Sequence, residues 1–261
     1  MIIEYYKYLT NPSTQSAKIL GQLRETIAME ARYNRSRKQW ESHLNNTKAL
    51  IEHAAREISQ PNGVIVLGSG LLLDIPIDFL STHFQQVFLI DVVHLKSTKQ
   101  QVKNYRNVFF LEHDVTGIAE QLIFSLPRKN QELKHQPSIP NLNPKTSLVI
   151  SANMLSQLHL SIVNYAEDKL AFDNAMQENL ATNIIRSHLS MLESLPCKVC
   201  LITDHIREYR NESTQISEYE TALLDVDLPK PDKKWYWEIA PKGELDKNIS
   251  MTSEVYGYHD Y

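Results

Sequence analysis

Cysteine is scarce in this chain of 261 residues, which holds only Cys197 and Cys200. Their C-x-x-C spacing would suit a redox pair or a zinc site. They lie in the segment CKVCLI, however, whose alternation is typical of a strand, so residues three apart point to opposite faces. A structural zinc also needs four ligands. We therefore interpret both cysteines as packing residues and expect no metal site from them.

The sequence also lacks a basic excess and any long apolar run. It has 27 Lys and Arg against 31 Asp and Glu, a formal net charge of -4. Because this balance gives no extended field for neutralising phosphates, we do not expect a nucleic-acid partner. No stretch approaches the roughly 20 apolar residues of a membrane span. We expect a soluble, cytoplasmic protein that does not bind membranes, and its oligomeric state stays open.

Two helical patterns precede a turn near residue 60. Apolar residues recur at helical spacing from Ser13 to about Tyr33 and again from Trp40 to Ile58, before the turn Pro61-Asn62-Gly63. We expect residues 1–60 to form a helical extension packed on a main α/β domain of residues 61–261. The extension would cover one edge of the sheet or the binding cleft.

Short apolar runs then alternate with helical segments. The runs predicted to be strands are Val64–Leu67, Gln86–Asp91, Val108–Glu112, Leu148–Ala152 and Lys198–Thr203. Such alternation predicts βαβ crossovers and a parallel sheet buried on both faces. Later, Trp235–Ala240 and Glu254–Tyr258 flank the turn Pro241-Lys242-Gly243, which predicts an antiparallel pair. The sequence thus predicts a Rossmann-like, doubly wound, mostly parallel seven-stranded sheet with a C-terminal antiparallel β-hairpin. A proline-rich segment, Ser125–Ser147, predicts a surface loop.

Glycine is rare as well, so its positions are informative. The chain has 7 glycines, whereas average usage of about 7% would give roughly 18. Gly68 and Gly70 form the turn VLGSG after the first predicted strand. Glycine is required where φ is positive or where a ligand approaches the backbone. Leu71–Leu80 predicts a helix whose free N–H groups face this turn and could receive an anionic group.

Two aspartates end the neighbouring predicted strands. Asp91 stands 21 positions after Gly70, where a carboxylate can accept hydrogen bonds from both hydroxyls of a ribose. Asp114 ends the third strand and would lie beside an adenine edge. Since open α/β sheets bind ligands at the carboxyl ends of their strands, these residues predict a binding site for an adenosyl group.

These segments, in order, resemble a known family. VLGSGLLLDIP, FLIDVVH, FFLEHDVTG and LVISANMLSQL resemble the cofactor-binding motifs of the class I S-adenosylmethionine-dependent methyltransferase superfamily, and WYWEIAP with EVYGY resembles its closing hairpin. The resemblance spans residues 62–258 and implies S-adenosyl-L-methionine as cofactor. The residues to which it assigns cofactor binding are Gly68, Ser69, Gly70, Asp91, Val92, Asp114, Val115 and Asn153.

The sequence departs from the family pattern at two positions. Val66 stands where the family carries an acidic residue, and Leu72 where it carries a third glycine. Both changes weaken the implied contact to the methionine amino group, for which Asp74 is a substitute. A dinucleotide fingerprint fits less well, because Leu73 occupies its third small-residue position.

The sequence therefore predicts a methyltransferase whose acceptor, a small molecule or a protein, is not identified and whose catalytic residue is not assigned. Two alternatives stay open, a non-catalytic methyltransferase-like binding or interaction protein and a nicotinamide-dependent oxidoreductase. His94 and His113 are candidates for a general base or a metal pair, and Asp204 and His205 for the acceptor pocket. Histidines and aspartates at strand ends also occur commonly without such roles.

Overall fold

The computed structural model describes residues 2–124, 133 and 136–261 of the chain. Its helices are α1 (Ile2–Thr10), α2 (Gln15–Ile19), α3 (Gln22–Arg56), α4 (Ile77–His83), α5 (Lys96–Gln101), α6 (Ala119–Phe124), α7 (Leu160–Leu170) and α8 (Asn174–Glu193). Its strands are β1 (Gly63–Leu67), β2 (Gln86–Asp91), β3 (Val108–Glu112), β4 (Thr146–Ala152), β5 (Lys198–Asn211), β6 (Ile216–Thr221), β7 (Lys233–Ala240) and β8 (Ile249–Tyr258).

The strands form one sheet in the order β3-β2-β1-β4-β5-β8-β7. The first five are parallel, and β8 lies antiparallel between β5 and β7. The predicted Rossmann-like seven-stranded path with its closing antiparallel hairpin is therefore confirmed. One strand was not predicted: β6 pairs antiparallel with Ile206–Asn211, the outer half of β5. This half of β5 is polar and only partly buried. Because it contains no apolar run, its pairing with β6 could not be predicted from the sequence pattern.

The central strands are buried on both faces, as predicted. In β1, Val64 and Val66 pack into the apolar cluster under α3 and α4, whereas Ile65 and Leu67 pack into the cluster under α8. Cys200 belongs to the first cluster, while Cys197 packs against the second. Burial raises the pKa of both thiols above the ordinary value, so neither is an activated thiolate.

The helix predicted at Leu71–Leu80 was wrong in its first half. Residues 71–76 form turns, and α4 begins at Ile77. Two local features explain why the helix begins later than predicted. Leu72 has a positive φ of 62°, which interrupts a right-handed helix, and Pro76 disfavours helical backbone at the residue before it.

The N-terminal helices differ from the predicted pair. Helix α1 was not predicted. The first predicted helix, from Ser13 to about Tyr33, corresponds to short α2 and the first part of the 35-residue α3, and the second, from Trp40 to Ile58, corresponds to the rest of α3. The backbone of α3 leaves helical geometry at Ser36, between the two predicted helices. Thr14 caps α2 by accepting a hydrogen bond from the amide of Ala17 at 3.1 Å. Within the described residues, every helix is too short or too polar for a membrane crossing.

The second half of α3 packs on the closing hairpin. The indole Nε1 of Trp40 donates to the carbonyl of Ile239 at 3.1 Å, and its ring meets Trp237 edge to face at 5.0 Å. At Gly257 in β8, an added Cβ would lie 2.6 Å from the side chain of Leu50. Helix and hairpin are thus closely fitted.

The predicted loop Ser125–Ser147 is described only in part, since residues 125–132 and 134–135 lie outside the described residues. In the described part, Ser138 donates its amide to the carbonyl of Val115 at 3.2 Å. An added Cβ at Gly117 would lie 2.2 Å from the carbonyl oxygen of Gln136. The segment after the gap therefore lies directly against the loop that follows β3.

Candidate functional site

A cavity of about 530 Å³ opens at the carboxyl ends of β1, β2, β3 and β4. This volume lies within the range of roughly 300–1,000 Å³ typical of small-molecule sites. The residues to which the sequence assigned cofactor binding all line it: Gly68, Ser69, Gly70, Asp91, Val92, Asp114, Val115 and Asn153. The fold thus brings the eight positions together, and their binding role stays a prediction.

The turn after β1 needs its glycines for backbone reasons. Gly68 and Gly70 have positive φ angles of 74° and 45°. A Cβ on Gly68 would lie 2.8 Å from both the carbonyl oxygen of Ala152 and the Cβ of Met154. At Gly70 the nearest atom would be an oxygen of Asp91 at 3.8 Å, an ordinary contact. Packing against the end of β4 therefore explains Gly68, and backbone conformation alone explains Gly70.

The expected anion site at this turn was wrong. The amides of Gly68 and Ser69 donate to the carbonyl of Ile90 at 3.0 and 3.3 Å. The amide of Gly70 donates to Oδ2 of Asp91 at 2.9 Å. Because these donors are already used and α4 begins only at Ile77, none of the three amides of the turn is free for a phosphate or a carboxylate.

Asp91 joins the ends of β1 and β2. Besides the Gly70 amide on Oδ2, its Oδ1 accepts from the amides of Val92 at 2.8 Å and Val93 at 3.5 Å. Burial raises the pKa of Asp91 above its ordinary value, and the three amide hydrogen bonds oppose that shift. A carboxylate has about four acceptor sites. The three amide hydrogen bonds therefore leave about one acceptor site of the Asp91 carboxylate.

A row of polar side chains forms one wall of the cavity. The amide Nδ2 of Asn153 donates to Oδ2 of Asp74 at 2.6 Å and lies 3.4 Å from Nε2 of His43. On its other side, His43 accepts from Nε1 of Trp235 at 3.0 Å through Nδ1. The His43 ring stacks on Trp237 with centroids 4.0 Å apart.

The protonation of this row follows from its burial. Burial lowers the pKa of His43 to about 3, so the ring is neutral. Since Nδ1 accepts the tryptophan N–H, the proton of His43 sits on Nε2, and the ring cannot take a further proton at neutral pH. Burial also raises the pKa of Asp74, although the Asn153 hydrogen bond opposes the shift. Asp74 is held in this wall by its hydrogen bond from Asn153.

Asp114 lines the cavity but is engaged within its own loop. Its Oδ1 accepts from the amide and hydroxyl of Thr116 at 2.9 and 2.6 Å, and its Oδ2 accepts from the amide of Ala119, the first residue of α6, at 3.0 Å. These bonds shape the turn and cap the helix. The neighbouring Val115 is buried and offers an apolar surface.

Ser69 connects the turn to His94, which lies behind the site. The hydroxyl of Ser69 is 2.9 Å from Nε2 of His94, and both residues are buried. Burial lowers the pKa of His94 to about 3, and the ring does not line the cavity. His94 is therefore not placed as a general base. His113 does line the cavity, with Nε2 3.1 Å from the hydroxyl of Ser138. Among the described residues, neither histidine belongs to a cluster of three metal-ligating side chains.

Asp204 and His205 do not reach the site, because β5 continues beyond them. Asp204 is buried and accepts hydrogen bonds from the hydroxyl of Ser156 and from Nε of Arg207. His205 stacks on Tyr256 at 4.1 Å. Neither lines the cavity, and we assign both a structural role.

The sequence offered the binding cleft as one place that the N-terminal extension would cover, but it identified none of the helical residues that line the cavity. The α2–α3 junction contributes six residues between Leu20 and Met29, and α7 contributes four between Leu160 and Asn164. Gln22 and Ser161 hydrogen-bond at 3.1 Å and hold these two elements together. No motif marks them, since each belongs to an ordinary helical pattern.

The charged side chains that line the cavity are acidic. Among the described residues, the ionisable side chains that line the cavity, histidines aside, are the carboxylates of Glu25, Asp74, Asp91 and Asp114, and no lysine or arginine is among them. A cavity with low-dielectric walls and one sign of charge favours ligands of the opposite sign. This cavity favours a cationic group and disfavours a polyphosphate.

No protein-family model and no curated protein sequence matches the chain. Solved structures do resemble it. The N-methyltransferase NodS from Bradyrhizobium japonicum, in complex with S-adenosyl-L-homocysteine, has a TM-score of 0.39 and 11% identity over 84% of this chain and 87% of that chain. The complex of DhpI with SAM and HEP gives 0.38 and 11% over 93% and 99%. The Burkholderia thailandensis 1,6-didemethyltoxoflavin-N1-methyltransferase gives 0.34 and 13% over 90% and 88%. At such scores these likenesses carry no functional argument, and the fold class rests on this chain's own strand order and register.

Proposed function

We propose that this protein is an S-adenosylmethionine-dependent methyltransferase. The observation that carries the proposal is the cavity at the strand ends, where the eight predicted residues meet and four carboxylates stand without a lysine or arginine among the described lining residues. S-adenosylmethionine is an adenosyl ligand with a positively charged sulfonium, an ammonium group and a carboxylate, so its net charge at neutral pH is positive. Such a ligand matches both the position of the cavity in the sheet and its charge.

The described residues provide a complementary set of contacts. Asp91 would accept a ribose hydroxyl with its remaining lone pair, and the buried Ile90 and Val115 with half-buried Val92 offer apolar surface for the adenine. Asp74 would face the ammonium group in place of the acidic residue that Val66 replaces. Val66 itself is fully buried within β1 and cannot take that role.

When bound, S-adenosylmethionine would supply an electrophilic methyl group for transfer to a lone pair of the acceptor, and S-adenosylhomocysteine would be the leaving product. The protein's contribution is mainly proximity and orientation. The wall of His43, Asn153 and Trp237 would exclude water and orient the acceptor. His43 would not receive a proton from the acceptor, because it already carries its proton on Nε2 and is kept neutral by burial.

A second candidate is a domain that binds the ligand but transfers nothing. It is favoured by Asp91, whose carboxylate already holds the turn amide of Gly70 and therefore has a structural reason to be present without catalysis. A nicotinamide-dependent oxidoreductase is not favoured, because the amides of Gly68, Ser69 and Gly70 are already used and no lysine or arginine is among the described residues that line the cavity.

Two measurements test the proposal. Isothermal titration of the full chain with S-adenosylmethionine, S-adenosylhomocysteine and NADH should give binding of the first two and not of the third. Incubation with methyl-tritiated S-adenosylmethionine and fractionated small-molecule and protein extracts should then give labelled product. Binding without transfer to any fraction would favour the non-catalytic domain, and binding of NADH alone would reject the methyl-transfer proposal.

A further inference from the structure

A second cluster of chemically active side chains lies at the opposite edge of the sheet from the cavity. His53 and Glu57 stand one turn apart at the C-terminal end of α3, and His259 follows β8 directly. Lys198, the first residue of β5, contacts Glu57, which places the cluster at the amino ends of the parallel strands. The cavity lies at their carboxyl ends.

The ligand-type atoms of these three residues converge. Nε2 of His53 lies 3.7 Å from Oε1 of Glu57, and Nε2 of His259 lies 3.9 Å from Oε2 of the same carboxylate. One such atom from each residue falls within 4.8 Å of both others. Zinc binds histidine nitrogen and carboxylate oxygen at about 2.0–2.2 Å, so ligand atoms around a tetrahedral ion lie roughly 3.3–3.5 Å apart. Small side-chain rotations would close the difference.

Asp232 fixes His259 in the orientation that a metal ligand needs. Nδ1 of His259 lies 2.6 Å from Oδ2 of Asp232, which also accepts the backbone amide of His259 at 2.9 Å. A neutral ring therefore carries its proton on Nδ1 and turns the lone pair of Nε2 toward Glu57. A lone pair that faces a carboxylate is stabilised by a cation between them. A carboxylate that orients a histidine in this way is the usual outer partner of a metal-bound imidazole.

We propose that His53, Glu57 and His259 bind a divalent transition-metal ion, with a water completing the coordination. Two imidazoles and one carboxylate suit Zn²⁺, Co²⁺ or Ni²⁺ rather than Mg²⁺ or Ca²⁺. The exposed fractions of the His53 and Glu57 side chains are 57% and 42%, so both can rotate at little cost. The ion would link the C-terminal end of α3 to His259, the residue that follows β8.

Lys198 is the competing cation at this site. Its ammonium contacts Oε2 of Glu57 while its side chain is only 15% exposed. A metal ion has to displace the Lys198 ammonium or bind beside it, so Lys198 lowers the affinity of the site for the ion. A neutral side chain of similar length at position 198 should strengthen metal binding.

The test uses the full, tag-free chain at pH 7.5 with ZnCl₂ and CoCl₂ as probes. We expect 1:1 binding by calorimetry and Co²⁺ absorption bands typical of nitrogen and oxygen ligands. Zn²⁺ at about 100 times its Kd should raise the Tm by roughly 5–10 °C. His53→Ala, His259→Ala and Glu57→Gln should each abolish that rise. Glu52→Gln is the matched control, because Glu52 lies on the same helix and pairs with Arg56, which is outside the cluster.

Two further variants separate a built site from adventitious binding. Asp232→Asn keeps all three ligands and should weaken binding about 10- to 100-fold by releasing the orientation of His259, whereas Lys198→Met should strengthen it. A Tm that Zn²⁺ raises equally in wild type and His259→Ala would overturn the proposal. So would the absence of any binding heat in both wild type and Lys198→Met.

Discussion

The replacement of Asp91 by asparagine tests the site most directly, because it changes one charge and almost no volume. The aspartate holds the amides of Gly70 and Val92 with different oxygens at 2.9 and 2.8 Å. Asparagine has a single carbonyl oxygen, so one of the two amides must face its NH₂ group. A buried donor left without an acceptor costs about 1–3 kcal/mol, which should lower the Tm by roughly 2–12 °C.

The same variant should weaken S-adenosylmethionine binding. A hydrogen bond from a ribose hydroxyl to a charged acceptor contributes about 1.5–3 kcal/mol, which corresponds to about 10- to 150-fold in Kd. Calorimetry and thermal unfolding of Asp91→Asn, side by side, provide both numbers. Binding should be measured at a temperature well below the variant's Tm, so that the folded population is complete.

Asp173→Ala is the matched control. Asp173 accepts the amide of Met176 at 2.9 Å as the N-cap of α8 and does not line the cavity. Its loss should cost a comparable 0.5–2 kcal/mol of stability and leave binding unchanged. An Asp91→Asn protein that loses stability yet binds S-adenosylmethionine with wild-type affinity would refute the placement of the ribose at Asp91.

Three more outcomes follow from the structure. In urea unfolding, Gly68→Ala should lower the stability by about 1–3 kcal/mol more than Gly243→Ala. Both glycines have a positive φ, but an added Cβ would meet a backbone carbonyl at Gly68 and open space at Gly243, so equal losses would contradict the packing explanation. Burial lowers the pKa of His188 from 6.5 to about 4, so the stability of the folded protein should fall by about 3 kcal/mol as the pH drops from 6.5 toward 4. His188→Gln should flatten this part of the curve of unfolding free energy against pH, and an unchanged slope would contradict the assignment. S-adenosylmethionine should bind more tightly than S-adenosylhomocysteine, with a difference that shrinks as salt is added, and a difference independent of salt in calorimetry would show that the acidic lining does not act on the sulfonium.

The sequence predicted the parts of this protein that local patterns determine. The five parallel strands follow from short apolar runs and the closing hairpin from the turn between its strands, and their order along the chain places Gly68, Asp91 and Asn153 at one edge of the sheet. The positive φ of 62° at Leu72 was not predicted, because leucine rarely adopts this conformation. The helix expected from Leu71 therefore begins later than its apolar pattern indicated.

The rest depends on contacts between segments far apart in the chain. His43 and Trp237 meet across 194 positions, and each looks from its own neighbours like an ordinary core residue of a helix or a strand. The occupied amides of the turn depend on Ile90 and Asp91 from the next strand. Such pairings have no periodicity of their own, so the charge and donor pattern of the cavity could not be read before the fold was known.

The break in α3 at Ser36 lets both halves of one long helix line the cavity. At about 1.5 Å per residue, 35 helical residues would form a straight rod of roughly 50 Å, more than twice the length of the seven-residue β4 at about 3.3 Å per residue. The interruption divides the helix into a first half that begins at Gln22 and a second half fixed by Trp40 against the hairpin. The first half lines the cavity from Gln22 to Met29, and the second half lines it with His43 and Leu44. The tryptophan packing of the hairpin is therefore connected through one helix to two parts of the cavity wall.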